Sequence, residues 1–206
     1  MILLLLYLKN IKTLLKNKFA YHILRVKDHY KNKEIILKRT LMNPRRVGYY
    51  DLAEEEENNL LNGYGDKNSF ISNSDRLRPL ETNWFEFAFS RRDIQRYISF
   101  VKRKYNCRKK VVNVVQTWYN QYSKQSGSQH CFHSHDTCDV ANVYYVEMVD
   151  KSLRTVLKHP VTGEEIVPRV REGDLLTFPG YIEHRSPKNY TTNRKTIVAF
   201  DTNFLE

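Results

Sequence analysis

The second half of the chain is built from short runs of β-branched and aromatic residues, and this pattern constrains the fold most. From Val111 onward the runs include VVNVVQTWY, NVYYVEMV, DLLTF and KTIVAF, with turn residues such as Pro-Val-Thr-Gly and Glu-Gly-Asp between them. Runs of this length with such breaks are typical of an antiparallel sandwich or barrel. No apolar run approaches 18 residues, so the sequence excludes a conventional membrane-spanning helix.

Helical signals dominate the first half of the chain. After a short predicted strand over Ala20–Val26, Asp28 has the character of a helix N-cap, and the helix is expected to reach about Leu41. A second helix is predicted to begin at the capping-box-like sequence Ser90-Arg-Arg-Asp93. The predicted architecture is therefore α+β, with N-terminal helices that support a β-barrel of residues 111–206.

Charge is distributed unevenly along the chain. The formal net charge is +11, yet 12 of the 34 basic residues and only two of the 23 acidic residues lie in residues 1–50. We predict that residues 1–18 form a basic amphipathic extension, which packs on the domain or contacts a membrane surface or an acidic partner. Residues 19–110 are predicted to form a helical support layer, in which the acidic, turn-rich residues 51–75 are a long surface loop.

The chain has three cysteines. A secreted disulfide scaffold usually has more cysteines and an even number of them, so the sequence argues against that class of protein. Sparse cysteines fit a reducing compartment, so we expect a cytoplasmic location. Two of them, Cys131 and Cys138, flank a histidine cluster, but their separation does not match the C-x2-4-C spacing of structural zinc sites. We therefore expect them to be packing residues.

The histidine cluster predicts a metal site. If His133-Ser-His135 lies on a strand, both imidazoles face the same side, because side chains alternate along a strand. His184, from a facing strand, then completes a three-sided cap, and neutral imidazoles suit iron, zinc, copper or nickel. Arg194 follows ten residues later; an Arg buried beside such a site needs an anion, and its guanidinium fits a carboxylate in two-point contact. His130 is expected to line the pocket or to donate to a ligand.

The order of these motifs resembles that of the 2-oxoglutarate/iron(II)-dependent dioxygenases. It is most similar to short oxygenases frequent in phages and marine bacteria, and it also resembles the prolyl hydroxylase branch. The shared string comprises Trp118-Tyr-Asn120-Gln-Tyr122, His133-Ser-His135, Val143-Tyr-Tyr-Val146, Gly173–Pro179, His184 and Arg194-Lys-Thr196. The resemblance implies a double-stranded β-helix, the cofactor Fe(II), the cosubstrates 2-oxoglutarate and O2, and a viral or phage-like, cytoplasmic protein, in the host cytoplasm if viral.

The resemblance also implies a ligand set. His133 and His184 would bind iron, whereas His135 stands where most of the superfamily has Asp or Glu. A third imidazole does not offset the charge of the iron as a carboxylate does, and bound 2-oxoglutarate could balance it instead. Asp136 or Asp139 could also supply an oxygen ligand in place of His135.

For the cosubstrate, the resemblance implies that Arg194 holds the distal carboxylate of 2-oxoglutarate, that Tyr145 hydrogen-bonds to it, and that Thr196 is a weaker candidate. The implied activity is hydroxylation of an unidentified substrate with release of succinate and CO2. The substrate could be a protein residue, a nucleic acid or a small metabolite.

Two other functions fit the same residues. The series His133, His135, Asp139, Gly173–Pro179 and His184 approximates the two cupin motifs on the same fold. A cupin-type metalloenzyme is therefore the main alternative. The other is a non-catalytic binding module in which the metal site is a relic.

Overall fold

The computed structural model describes residues 20–42, 89–122 and 129–206. The predicted extension of residues 1–18 and loop of residues 51–75 lie outside the described residues. The strands are β1 (His22–Arg25), β2 (Val111–Tyr122), β3 (His130–His133), β4 (Val140–Met148), β5 (Val156–Lys158), β6 (Glu165–Ile166), β7 (Asp174–Pro179), β8 (His184–Ser186) and β9 (Lys195–Leu205). The helices are α1 (His29–Met42) and α2 (Arg91–Lys104), and a 3-10 turn covers Lys151–Leu153.

The strands form two antiparallel sheets. The larger has the order β1-β7-β4-β9-β2 and the smaller has the order β3-β8-β5-β6. Most neighbours within a sheet are thus distant in sequence, and from β2 onward the chain passes from one sheet to the other between successive strands, except between β5 and β6. This is the predicted α+β architecture, with β-sheets over most of the C-terminal half and both described helices before them.

The larger sheet is buried on both faces, and its strand alternation separates two cores. On one side Val198 and Phe200 of β9 pack with residues of the helices, including Ile36, Tyr97 and Val101. On the other side Ile197 belongs to a core that also contains Val143 of β4, Leu157 of β5 and Phe178 of β7. The nearly continuous apolar run of β4 follows from this position, because a strand covered on both faces needs no polar face.

Asp93 connects the two helices at their N-terminal ends. Its carboxylate accepts hydrogen bonds from the main-chain nitrogens of Lys27 (2.9 Å) and Asp28 (3.0 Å), at the start of α1. Ser90 is the N-cap of α2, and its Oγ accepts from the main-chain nitrogen of Asp93 at 3.2 Å. The helix starts predicted at Asp28 and Ser90 are thereby confirmed.

The predicted strand near Ala20–Val26 is also confirmed, since β1 pairs with β7 at the edge of the larger sheet. The segment assigned to the helical support layer therefore contributes a strand to the sheet as well. The division of the chain at residue 111 stays a prediction. Within the described ranges, no helix is long and apolar enough to cross a membrane.

Candidate metal centre

Three histidines converge between the two sheets. His133 ends β3 and His184 begins β8, and these two residues are register partners in the smaller sheet. His135 follows β3 by two residues. One potential ligand atom from each of the three lies within 4.8 Å of the others. The structure thus brings together the three residues that the spacing of the sequence predicts as ligands.

His135 lies in the loop after β3, not on the strand, so strand alternation does not position it. Its main-chain N–H donates to the oxygen of Gly180 at 2.8 Å. Its ring stacks on that of Trp118, with ring centroids 5.5 Å apart. A Cβ at Gly180 would lie only 2.6 Å from the carbonyl oxygen of His135, so glycine permits this close approach of the two loops.

Each of the three rings is held through Nδ1. The acceptor is the main-chain oxygen two residues earlier for His133 (2.8 Å) and for His184 (3.1 Å), and it is Asp201 Oδ1 for His135 (2.7 Å). Carbonyl and carboxylate oxygens accept hydrogen bonds, so Nδ1 of each neutral ring carries the proton. Nε2 of each ring then holds a lone pair that is available to a metal.

Burial controls the charge of the innermost ring. It lowers the pKa of His184 well below its usual value, and the neighbouring rings of His133 and His135 lower it further. His184 is therefore neutral at neutral pH, which is the form that binds a metal. Three neutral imidazoles fit a divalent transition metal such as iron, zinc, copper or nickel.

The two aspartates that could have replaced His135 make other contacts. Asp136 accepts a hydrogen bond from Ser134 Oγ at 2.8 Å, and Asp139 Oδ2 accepts from the main-chain nitrogen of Phe204 at 2.7 Å. Both aspartates are exposed. Within the part of the chain that the structure describes, neither belongs to a cluster of potential metal ligands.

Asp201 is a site residue that the sequence interpretation missed. It is 1% exposed, and its carboxylate accepts from His135 and from Gln116 Nε2 (2.5 Å). His135, Cys138 and Asp201 form a second cluster of potential ligands. Burial, followed by the charge of Asp201, raises the pKa of Cys138 to about 12, so its thiol stays protonated. The sequence contained one indication of this role. Asp201 lies four residues after Ile197 in the same β-rich run, so on a strand its side chain faces inward on the same side as that of Ile197.

The histidines line a pocket with about 400 Å³ of empty space, part of which is open to solvent. The remaining lining is aromatic, aliphatic and polar, with one basic residue, and includes Trp118, Asn120, Tyr122, Val143, Thr155, Arg185, Ser186, Ile197 and Ala199. His130 also lines the pocket, as expected, and stacks on His133 with ring centroids 4.0 Å apart. A small molecule could therefore lie against the imidazoles.

Arg194 is not among the residues that line the pocket. Its Nε donates to Glu147 Oε2 at 2.8 Å, and Thr196 Oγ1 donates to the same oxygen at 3.0 Å. Strand alternation explains this placement, because Arg194 and Thr196 are in phase with each other and out of phase with Ile197 and Ala199, which line the pocket. Neither Arg194 nor Thr196 lines the pocket in this structure, and their predicted contact with the cosubstrate stays a prediction.

Lys195, the next residue, lies in phase with Ile197 and Ala199, which line the pocket. It is fully buried, and its Nζ donates to Ser186 Oγ at 2.8 Å and lies 4.8 Å from the ring centre of Tyr122. Tyr145, the other predicted cosubstrate contact, has its ring centre 5.7 Å from this Nζ and donates to Thr155 Oγ1 at 2.7 Å. Burial lowers the pKa of Lys195 to about 7.

Among the described residues, no carboxylate forms an ion pair with Lys195. Two of its neighbours, Ser186 and Tyr122, line the pocket. A buried cation is costly without a partner of opposite charge, so an anion that reaches this end of the pocket would be stabilised.

Comparison with known proteins gives matches in structure alone. No protein-family profile matches the chain, and no curated protein matches its sequence. A prolyl hydroxylase from Trichoplax adhaerens, in complex with a hypoxia inducible factor oxygen degradation domain peptide fragment, has a TM-score of 0.55 and 15% identity over 91% of this chain and 85% of that chain. The viral collagen prolyl hydroxylase of Paramecium Bursaria Chlorella virus-1, in complex with 2OG, has a TM-score of 0.50 and 11% identity over 93% and 98%.

A third match is an oxidoreductase of the 2OG-Fe(II) oxygenase family from Burkholderia pseudomallei. It has a TM-score of 0.45 and 14% identity, and the match covers 52% of this chain and 50% of that chain. The first two structures confirm the predicted fold, a double-stranded β-helix supported by helices. Both of these neighbours are named prolyl hydroxylases, and the sequence motifs of this chain resemble the prolyl hydroxylase branch.

Proposed function

We propose that the protein is a 2-oxoglutarate- and Fe(II)-dependent dioxygenase that hydroxylates a substrate C–H group. The observation that carries the proposal is a pairing within one pocket. Three imidazoles present Nε2 lone pairs, and a buried lysine lies behind the wall of the same pocket. A metal site and an anion site side by side fit a cosubstrate that is both a chelator and a dicarboxylate.

His133, His135 and His184 would hold the iron. Bound iron and 2-oxoglutarate would supply the oxidation, in which R–H, O2 and 2-oxoglutarate give R–OH, succinate and CO2. The chain itself orients the three imidazoles through Nδ1, and it encloses them with aromatic side chains such as Trp118, which limit the access of water.

Lys195 would bind the distal carboxylate of the cosubstrate, the role first expected of Arg194. The hydroxyl groups of Ser186 and Thr155 line the pocket on that side and can donate to the same carboxylate. Tyr145 would act with them, since its hydroxyl is hydrogen-bonded to Thr155. Arg194, in contrast, already has Glu147 as its carboxylate partner.

The first substrates to test are prolyl residues in peptides. This choice rests on the names of the two structural neighbours with the higher TM-scores, both prolyl hydroxylases. Nucleic acids and small metabolites form the second and third pools. A cytoplasmic, viral setting is part of the proposal, and a reducing compartment fits Cys107, Cys131 and Cys138, none of which forms a disulfide.

Succinate release tests the proposal. The apoprotein is loaded with Fe(II) without oxygen, 2-oxoglutarate and a substrate pool are added, and succinate is followed by NMR after admission of O2. Succinate should form with the wild type and not with His184→Ala. The matched control is His159→Ala, because the Nδ1 atom of His159 accepts main-chain hydrogen bonds in a turn outside the cluster. Failure of every pool, including the slow uncoupled reaction without substrate, would contradict the proposal.

A cupin-type metalloenzyme is the second candidate. A fourth imidazole, His130, lies against His133, and the metal-binding cluster itself contains no carboxylate. Such a site can bind a metal without needing a cosubstrate. Stoichiometric metal binding with no affinity for 2-oxoglutarate would favour this candidate, and absence of metal binding would favour a non-catalytic module.

A further inference from the structure

Asp201 is a buried carboxylate whose presence the proposed chemistry does not yet explain. It lies on β9 and is 1% exposed. In the described part of the chain, the only basic side chain that forms an ion pair with it is His135, at 2.7 Å from Oδ1. Its other oxygen accepts from Gln116 Nε2. Burying a carboxylate without a full counter-charge is unfavourable, so its position needs a reason.

The other two histidines show what Asp201 adds. His133 and His184 donate Nδ1–H to main-chain oxygens, which are neutral, whereas His135 donates to a carboxylate. A neutral carbonyl is sufficient to fix a tautomer and a ring orientation. A carboxylate does this too, and it also places a negative charge next to the ring and raises the basicity of Nε2.

We propose that Asp201 is a positioning residue that supplies, through His135, the negative charge that a carboxylate ligand supplies in a site with two histidines and one carboxylate. Three neutral imidazoles leave the charge of a divalent cation uncompensated in a buried place. Asp201 offsets part of that charge from one residue further away. The inference rests on the metal-binding part of the proposed function and not on 2-oxoglutarate.

A competing geometry is that Asp201 binds the metal directly, together with His135 and Cys138. Two observations favour the indirect role. Both carboxylate oxygens of Asp201 already accept hydrogen bonds, one from His135 and one from Gln116. Neither Cys138 nor Asp201 is among the residues that line the pocket, whereas His133 and His184 direct Nε2 lone pairs into it beside His135.

The test is a double-mutant cycle on metal affinity. Co(II) is titrated into apoprotein that is free of 2-oxoglutarate, and the dissociation constant and the visible absorption spectrum of the bound ion are measured. We expect Asp201→Asn to weaken binding about 10–100-fold, the usual effect of removing an outer partner of a metal ligand. The matched control is Asp150→Asn, because Asp150 caps the 3-10 turn at Lys151–Leu153 and is outside the cluster; this variant should bind Co(II) with wild-type affinity.

The second arm of the cycle separates charge from structure. His135→Asp places a carboxylate directly on the metal, so in that background Asp201→Asn should weaken binding less than threefold. An equal loss in both backgrounds would show that Asp201 only supports the fold, and it would overturn the inference. Unchanged affinity in Asp201→Asn alone would overturn it as well.

Direct ligation has its own signature. If Asp201 and Cys138 bind the metal, Cys138→Ala should weaken Co(II) binding as strongly as Asp201→Asn and should change the charge-transfer absorption of the wild type. That result would overturn the inference. A wild type that binds no Co(II) would overturn both the inference and the proposed metal site, so the two failures can be told apart.

One measurement needs no variant at Asp201. In zinc-loaded wild type, nitrogen NMR of the histidine rings should show the Nδ1–H form for His135, with a proton shifted further downfield than those of His133 and His184. A carboxylate acceptor deshields that proton more than a carbonyl does. The same shift for all three rings, or a proton on Nε2 of His135, would overturn the inference even if the variants at Asp201 fail to fold.

Discussion

Strand β9 and Arg194, the residue directly before it, present two faces. Each face carries basic, polar and apolar side chains, but these side chains have different partners on the two faces. One face carries Arg194, Thr196, Val198 and Phe200, and the other carries Lys195, Ile197, Ala199 and Asp201. On the first face Arg194 pairs with Glu147, and Phe200 packs with the helices. On the second face Lys195 is buried without a carboxylate partner within the described ranges, and Asp201 holds a candidate metal ligand.

The difference between these faces shows where chemistry can occur. Polar groups on the helical side satisfy each other, so they contribute to stability and have little capacity left for a ligand. Charged groups on the pocket side are only partly compensated, so a cation beside His135 and an anion beside Lys195 would both be stabilised. If β9 were shifted by one residue relative to its neighbouring strands, the side chains of its two faces would exchange places.

The largest effect is expected from the pocket side. His184→Ala removes one of the three proposed ligands, a buried one, and should abolish stoichiometric binding of Fe(II) or Co(II), because only two imidazoles of the cluster remain. Titration of the apoprotein followed by visible absorption measures this. His159→Ala should bind normally. Wild-type affinity in His184→Ala would remove this residue from the ligand set.

Stability should depend most on the helical side. Phe200 is fully buried among aromatic residues of the helices and the sheet, so Phe200→Ala should lower the free energy of unfolding by about 3–5 kcal/mol. Chemical denaturation measures this change. Ile197→Val, on the pocket side, should cost only about 0.5–1.5 kcal/mol. If the folded fraction of Phe200→Ala lost its Co(II) affinity, the two faces would not be functionally separate.

Adjacent residues at the start of β9 give the sharpest test of strand phase. Lys195→Met should weaken binding of 2-oxoglutarate to the metal-loaded protein by about 2–5 kcal/mol, the usual cost of removing one partner of a buried charge pair. Arg194→Met should leave that binding unchanged, because Arg194 pairs with Glu147 outside the pocket. Isothermal calorimetry compares the two variants. The opposite ranking would return the anion site to Arg194.

The most gradual expected effect is a dependence of stability on pH. The pKa of Lys195 is about 7 in the folded protein and about 10.4 in an unfolded chain. Between these values the unfolded chain binds a proton that the folded protein does not. Stability of the apoprotein should therefore rise with pH in this window, by up to about 1.4 kcal/mol per pH unit, and fall as pH returns toward 7.

Lys195→Met removes this contribution, and the other titrating groups cancel in the difference between the two proteins. Urea denaturation at intervals between pH 7 and pH 10 should therefore give a steeper rise for the wild type than for the variant. Parallel curves would mean that Lys195 stays charged in the apoprotein.

Sequence pattern alone was sufficient for the class of fold and for three of the site residues. Short β-rich runs predict the sheets, and capping residues such as Ser90 predict the helix starts, because both signals depend on neighbouring residues. His133, His135 and His184 could also be chosen from spacing, since few arrangements other than a metal site place so many imidazoles together. That these residues are the actual ligands stays a prediction.

Tertiary structure decided the rest, for a physical reason that recurs at each position. Strand phase tells which side chains share a face, but it does not tell which face meets the pocket when both faces are buried. Arg194 and Lys195 differ by that choice alone, and the packing of the helices against Val198 and Phe200 makes it. Asp201 became visible as a partner of His135 only because two residues that lie 66 positions apart in the sequence are brought together by the fold.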